Sequence, residues 1–518
     1  MKRSEMLDKL KKETGYWDFI VVGGGATGLG IAVDAASRGF KTLLLEMSDF
    51  AKATSSRSTK LVHGGVRYLQ QGNVSLVLEA LRERGLMIQN APHLVYNQSF
   101  IVPNYDWWEG PFYGVGLKVY DMLAGKMGLG PSKNLSKEKT KEYLPTINTE
   151  GLKGGVIYYD GQFDDSRLAV NLAQTASDKG GVLLNYMKVT GLLKSKDMIQ
   201  GVVAKDELTG EEHEIYSRVV VNATGVFTDN LRKMDEEDAG SIIALSQGIH
   251  IIIDKEFLPG DTAIMVPQTE DGRVLFAVPW HDKVVLGTTD TSIDKAELEP
   301  KAIEEEIEFV ISHAAKYLEG KPTRKDVRSV FAGLRPLVKA EDGKSTASLS
   351  RDHTLLVNPS GLVTITGGKW TTYRKMAEDV VDQAGIVAGL DPGECPTKNL
   401  RIHGWLKNVD KSEPLYYYGS DLASIKRLIK ERPELDELLH ERLDYKKAEV
   451  IWAVRNEMAM TVEDVLSRRT RALLLDAKAS IEAAPEVARL MAEEAGYDEA
   501  WQKEQVKTFT ELAGHYTL

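Results

Sequence analysis

The sequence predicts an α/β protein of more than one domain, and three observations carry that expectation. A short apolar strand, a glycine turn, a helix and a second strand follow one another from Asp18 to Met47. Between Gly248 and Asp290 the pattern changes to short apolar runs separated by turn residues, which suits a mostly antiparallel sheet. Past Pro392 the chain is charged and strongly helical, with few turn signals. At 518 residues it also exceeds a single ordinary core, so two or three domains are expected.

The first unit opens with Phe19 to Val22, an apolar run suited to a buried parallel strand. Gly23, Gly25 and Gly28 then stand in the spacing G-x-G-x-x-G. The first glycine permits a tight turn, the second lets backbone approach a pyrophosphate, and the third lets helix pack on strand. Ala26 to Ser37 has the composition of a helix, whose free N–H groups and dipole would hold phosphates. Lys41 to Leu45 is a second strand that ends at Glu46, where a carboxylate can accept bonds from a ribose. Strand, helix, second strand and acid together point to dinucleotide binding.

Ala53 to Asn73 is rich in small and hydroxyl residues and carries Arg57, Lys60, His63 and Arg67, which suits a ligand loop. Val74, Val77, Leu78, Leu81 and Ile88 fall at helical spacing and predict a packing helix, with Arg82, Glu83 and Arg84 off its apolar stripe. Asp106 to Gly130 is aromatic and apolar but broken by glycines and charges. It reads either as a domain cover or as a surface that dips into a membrane interface through Trp107, Trp108, Phe112 and Tyr113.

Val156 to Tyr159 and Val182 to Asn185 read as strands around a helix from Leu168 to Ala176. Arg218 to Val221 runs into Asn222, Ala223, Thr224 and Gly225, a second close approach of backbone to something flat or charged. Glu304 to Leu318 is expected as a helix on the antiparallel sheet. At Val330 to Pro336 the nucleotide domain is expected to resume, with Arg335 in a loop because Pro336 disfavours helix before it. A polar loop with Ser350, Arg351 and Asp352 follows. Leu362 to Thr366 is a strand ending in Gly367, Gly368 and Lys369, and a helix from Thr371 to Val387 then aims amide groups at an acceptor. Ala453 to Asp476 shows no obvious chemistry.

Composition narrows the function. Hydrophobic content of 42% and charged content of 27% are ordinary for a soluble globular protein. A net charge of −11 argues against nucleic-acid binding, so an anionic substrate needs a local cluster of cations. Cys395 stands alone, which excludes an internal disulfide, a cysteine-based metal site and a dithiol pair, and fits a reducing compartment. No metal is expected. The N-terminus lacks the apolar core of a secretory signal. No apolar run approaches the ~18 residues needed to span a bilayer, so any membrane contact is expected to be peripheral.

The blocks VVGGGATGLGIAVDAASRG, SSRSTKLVHGGVRYL, YYDGQFDDSRL, VVNATG, FAGLRPL, LSRDHTL, TGGKWTTYRKMAED and MTVEDVLSRRTRALLLD resemble the FAD-dependent glycerol-3-phosphate dehydrogenases. That family is similar in fold to D-amino acid oxidase. The resemblance implies a Rossmann-like FAD-binding domain from 1–103, 154–240 and 330–392, an inserted antiparallel substrate domain from 104–153 and 241–329, and a C-terminal helical domain from 393–518. It implies oxidation of sn-glycerol 3-phosphate to dihydroxyacetone phosphate, with electrons passing to FAD and then to a membrane quinone. It further implies a cytoplasmic protein held peripherally on the inner face of the cell membrane, with a homodimer as one candidate assembly. The alternatives are an α-glycerophosphate oxidase that uses oxygen and a D-amino-acid-oxidase-like enzyme acting on an amine.

Such chemistry needs a flat hydride acceptor, a base for the hydroxyl proton and an anchor for the phosphate. Arginines grip phosphate through planar forks. Arg67, Arg335 and Arg351 lie in segments following strands, with Lys369 beside the flavin turn, and in the resemblance these four and Tyr68 fall on substrate-pocket positions. The base is His63 or His250, since a histidine can accept a proton near neutral pH. The catalytic set is thus His63, His250, Arg335 and Lys369. The set expected to contact FAD, without a covalent link, is Gly23, Gly25, Ala26, Thr27, Gly28, Glu46, Thr54, Ser55, Ser56, Lys60, Leu61, His63, Gly64, Val189, Ala223, Gly225, Gly367, Gly368, Lys369 and Thr371.

Overall fold

The computed structural model describes the chain except residues 66–68, 70–72, 107–108, 268, 270–272 and 340–352. Apolar residues at Phe19–Val22 and Leu43–Leu45 are buried on both faces, so these segments form the centre of a parallel sheet. Among the described residues the strands run His353–Val357, Val363–Gly367, Glu212–Asn222, Trp17–Val22, Thr42–Leu45 and Val182–Leu184 across that sheet. His353–Val357 is antiparallel to its neighbour, and the other neighbours are parallel. Helices Ala26–Ser37, Asp165–Asp178 and Tyr373–Val387 pack around it. This arrangement brings the glycine turn after Val22 beside the turn after Asn222.

The second sheet is mostly antiparallel and has its own core around Ile249, Ile251, Ile253, Leu286 and Val330. The helix Glu304–Tyr317 covers it through Ile307, Val310 and Ala314. Four segments expected in the nucleotide domain belong to it. Leu61–Val62, Val95–Asn104 and Gly154–Phe163 pair with one another in this sheet, not the nucleotide sheet. So does Val327–Val338, which pairs along its length with Ile243–Asp254. Arg335 therefore stands in a strand and not in a loop. Pro336 is tolerated there because this strand pairs on one side only among the described residues, and an edge strand can spare a donor.

The helix Val74–Asn90 forms as the periodicity predicts, but its burial differs. Val74 and Leu78 are exposed, while Glu83 and Arg84 are buried. Ion pairs explain the exchange: Arg374 forks onto Glu83 at 2.7 Å through both Nε and Nη2, and Arg84 Nη1 donates to Asp160 Oδ1 at 2.8 Å. Past Pro392 the chain is mainly helical, with the helices Leu422–Glu431, Lys447–Asn456, Ala477–Ala495 and Glu499–Ala513. Their apolar residues continue the core of the nucleotide sheet.

Candidate active site

Gly23 turns the chain with φ +112°, a left-handed value, and a side chain there would strike the Ala223 carbonyl. Gly23, Gly25, Ala26, Thr27 and Gly28 thus form a tight turn at the start of the helix Ala26–Ser37, packed against Ala223. Glu46 is half-buried, with its carboxylate accepting from the Gly24 amide at 2.6 Å and the Ser48 amide at 2.9 Å. Each oxygen keeps a lone pair for a further donor.

The segment from Thr54 to Gly64 is the hub of the site. Ser55 Oγ accepts the Ala26 amide at 2.9 Å, so this segment touches the glycine turn. The Ser55 carbonyl accepts from Trp370 Nε1 at 2.8 Å, and His63 and Thr371 exchange contacts through backbone and hydroxyl at 3.3 and 3.4 Å. Gly367, Gly368, Lys369 and Thr371 are thereby held beside the same loop. Thr54 Oγ1 donates to the Leu334 carbonyl at 2.7 Å, which ties the loop to the strand carrying Arg335. Gly64 donates its amide to Tyr120 Oη at 2.8 Å, and Tyr120 donates to Asp160 at 2.7 Å.

Two of the expected contacts need restating. Lys60 is fully buried, with Nζ on Asp165 Oδ2 at 2.7 Å and the Ser56 carbonyl at 2.6 Å. Its ammonium is engaged inside the protein and leaves only backbone for a cofactor. The chain touches the Glu46 carbonyl at Met187, two residues before buried Val189. Arg67, Tyr68 and Arg351 lie outside the described residues, as do Trp107 and Trp108.

The second sheet supplies a row of residues on one face. Ser246, Gly248 and His250 alternate along one strand opposite Arg335, Gly333 and Phe331 on the next. Arg335 donates from Nη2 to Thr288 Oγ1 at 3.0 Å and from Nη1 to Ser246 Oγ at 3.3 Å. Its guanidinium lies over Gly248, where any side chain would collide with Nη2. His250 stacks on Phe331 with ring centres 5.0 Å apart, and its Nε2 lies 2.9 Å from Thr59 Oγ1. Among the described residues its Nδ1 has no hydrogen-bond partner. Burial, then the charges of Arg335 and Lys60, push the imidazole well below its ordinary pKa, so it is held neutral. Gly248 and His250 stand two residues apart on one face of a strand, about 7 Å along the backbone, so the guanidinium over Gly248 and the imidazole are neighbours on that face. A cationic grip and a neutral imidazole at that spacing can take an anion at one end of a small molecule and a hydroxyl proton further along.

Sequence reasoning missed the hydroxyls of Thr59, Ser246 and Thr288, the Trp370 indole and Tyr120. Each is an ordinary polar or aromatic residue until the sheet register brings it to its partner. Arg57, read from the sequence as part of a ligand loop, is instead turned to an ion pair: its Nη2 meets Glu299 at 2.6 Å while Tyr516 donates to the same carboxylate at 3.1 Å.

Comparison with known proteins assigns the chain to a class. Residues 18–374 match the family described as FAD dependent oxidoreductase, and residues 363–502 match the C-terminal domain of alpha-glycerophosphate oxidase. The mitochondrial glycerol-3-phosphate dehydrogenase of Bos taurus is 39% identical over 535 residues, covering 96% of this chain and 73% of its own. That of Arabidopsis thaliana is 39% identical over 538 residues, covering 96% and 85%. The glycerol-3-phosphate dehydrogenase from Bacillus halodurans, solved in complex with FAD, superposes with a TM-score of 0.81 at 31% identity, covering 99% of this chain and 97% of its own. The L-alpha-glycerophosphate oxidase from Mycoplasma pneumoniae shares the fold, with a TM-score of 0.59 at 17% identity over 73% of this chain and 96% of its own. The chain belongs to the FAD-dependent glycerol-3-phosphate dehydrogenases, and its cofactor is FAD.

The residues fit that cofactor. Gly25, at the start of the helix Ala26–Ser37, brings no side chain to cap it, which suits its N-terminal amides to a pyrophosphate. Gly225, in the neighbouring turn, has φ +57° and open space where a side chain would stand.

Proposed function

We propose that the protein oxidises sn-glycerol 3-phosphate to dihydroxyacetone phosphate and passes the electrons to a quinone in the membrane. The observation that carries the substrate reading is the row of Arg335, Gly248 and His250 on one face of the second sheet. FAD, when bound, supplies the flat acceptor for the hydride. Arg335 grips the phosphate together with Lys369; Arg67, Tyr68 and Arg351, expected in the same role, lie outside the described residues. His250 takes the hydroxyl proton at Nδ1. That requires the tautomer in which Nε2–H donates to Thr59 Oγ1, leaving the Nδ1 lone pair to accept. His63 is the other candidate, on the loop beside Thr371. Gly23 to Gly28 hold the pyrophosphate, Glu46 accepts from the ribose, and the flavin is held without a covalent bond.

Attachment to the cytoplasmic face of the membrane is the second part of the reading. On the helix Glu109–Ala124, Phe112, Val115 and Met122 are 55%, 67% and 76% exposed, and Val119 is exposed as well. This helix packs on Val74–Asn90, which presents Val74 and Leu78 to solvent. Apolar side chains exposed on two neighbouring helices support a surface that lies in a lipid interface. No helix among the described residues is long and apolar enough to cross a membrane. Oxygen is the alternative acceptor, supported by the match of residues 363–502 to a glycerophosphate oxidase domain. Peroxide release during turnover in air distinguishes the two.

Arg335→Lys tests the substrate assignment. A guanidinium fork contributes roughly 1.5–3 kcal/mol net, so KM for glycerol 3-phosphate is expected to rise about 10-fold or more. Flavin content is expected to stay near normal. Glycerol is expected to be a poor substrate of the parent and to lose little further in the variant. Equal losses on both substrates would mean that Arg335 supports the fold or the flavin and not the phosphate.

A further inference from the structure

We propose that Thr288 is a positioning residue that sets the angle of the Arg335 guanidinium over Gly248 and thereby the affinity for the phosphate end of the substrate. The inference rests on the reading that Arg335 grips that phosphate. Thr288 Oγ1 accepts from Arg335 Nη2 at 3.0 Å and donates onward to the Thr289 carbonyl at 3.3 Å. The hydroxyl is thus oriented, with its lone pair toward the arginine. The second contact, from Nη1 to Ser246 Oγ, is longer at 3.3 Å, and Ser246 itself donates to Asp290.

Three features make Thr288 the sharper restraint. A β-branched side chain has few χ1 choices, so its hydroxyl is better fixed than that of a serine. A neutral hydroxyl restrains the guanidinium without itself adding a negative charge that competes with the phosphate. The missing side chain at Gly248 completes the seat. A Cβ there would stand 2.6 Å from Thr288 Oγ1 and would collide with Arg335 Nη2, so guanidinium and hydroxyl occupy the space together. Gly333, directly opposite Gly248 in register, likewise brings no side chain, and the space beside it is filled by Arg57, whose carbonyl and Cβ lie 3.0 and 3.1 Å from where a Cβ would stand. Thr288 acts through Arg335 and needs no contact with the substrate.

The test uses holoenzyme with glycerol 3-phosphate and a soluble dye as acceptor. Thr288→Val, Thr288→Ser, Arg335→Lys and the Thr288→Val/Arg335→Lys double variant are compared. Thr288→Val is expected to raise KM about 5- to 10-fold, the loss of one charge-assisted hydrogen bond, with kcat within about 2-fold and flavin content unchanged. Inhibition by inorganic phosphate is expected to weaken in parallel. Thr288→Ser is expected to recover most of the affinity. In the Arg335→Lys background, Thr288→Val is expected to add less than about 2-fold, because residues acting as one unit are not additive. A parental KM in Thr288→Val, or an undiminished effect of Thr288→Val in the double variant, would overturn the proposal while leaving the Arg335 reading intact. A parental KM in Arg335→Lys would overturn both.

Discussion

His250 combines three properties seldom found together in a surface histidine: a stacked aromatic partner, one ring nitrogen on a hydroxyl, and a charge state held neutral by burial and by Arg335 and Lys60. A base works only when deprotonated. Since its pKa is pushed well below 6.5, the imidazole stays deprotonated as pH falls through the range where an ordinary histidine titrates. If His250 is the base, kcat/KM is expected to stay flat from pH 8 down through 6.5 and to fall only at more acid pH. His250→Asn is expected to lower kcat by roughly 10²–10⁴, and His63→Asn by much less. The opposite ranking in single-turnover flavin reduction would move the base to His63. His250 was legible in the sequence as a candidate, alongside His63, because a histidine can accept a proton near neutral pH. The ground for preferring it to His63 was not, because that depends on the register opposite Phe331 and Arg335.

At the scale of elements, the segment Asp464–Asp476 is the largest surprise. An arginine-dense run ordinarily reads as a solvated face. Here Arg468, Arg469 and Arg471 are all buried. Arg468 Nε and Arg469 Nη1 meet Asp49 at 2.5 and 2.6 Å, and Arg471 meets Asp164 at 2.9 Å. Burial opposes ionisation of Asp49, but Arg469 and Arg468 hold its carboxyl well below the ordinary range. Asp49 closes the loop after Glu46, so these arginines fasten the C-terminal helices to the nucleotide turn. Removing one partner of a buried pair leaves uncompensated charge. Asp49→Asn is expected to cost about 3–5 kcal/mol, read from urea unfolding of the holoenzyme; a change below about 1 kcal/mol would show that the clamp is not structural. Asp49 and its arginines lie over four hundred residues apart, which is why no local pattern announces them.

The exposed face of Glu109–Ala124 is a second element-scale case. Phe112 was legible as a candidate for a lipid interface, whereas the exposure of Val115 and Met122 emerges only from the helix geometry. Replacing Phe112 and Val115 by Ser is expected to shift protein from membrane pellet to supernatant and to leave soluble-dye activity unchanged. Equal pelleting of variant and parent would favour a domain cover.

At the scale of the whole molecule, what the sequence made legible was local. Strand, glycine turn, helix and acid lie within one stretch, and the alternating runs from Gly248 to Asp290 carry their own period. The recruitment of Leu61–Val62, Val95–Asn104 and Gly154–Phe163 into the second sheet is non-local, and so is the pairing of Arg335 with Ser246. The site therefore forms where both sheets meet the loop Thr54–Gly64, with the C-terminal helices locked behind it.

The most direct measurement is anaerobic reduction of the bound flavin by three-carbon compounds. Purified protein, free of oxygen and dye, is mixed with sn-glycerol 3-phosphate, glycerol or D-amino acids while flavin absorbance is followed. The account predicts rapid bleaching by sn-glycerol 3-phosphate, slow or negligible bleaching by glycerol and none by the amino acids. Bleaching by an amino acid with glycerol 3-phosphate inert, or by glycerol as readily as by its phosphate, would contradict it.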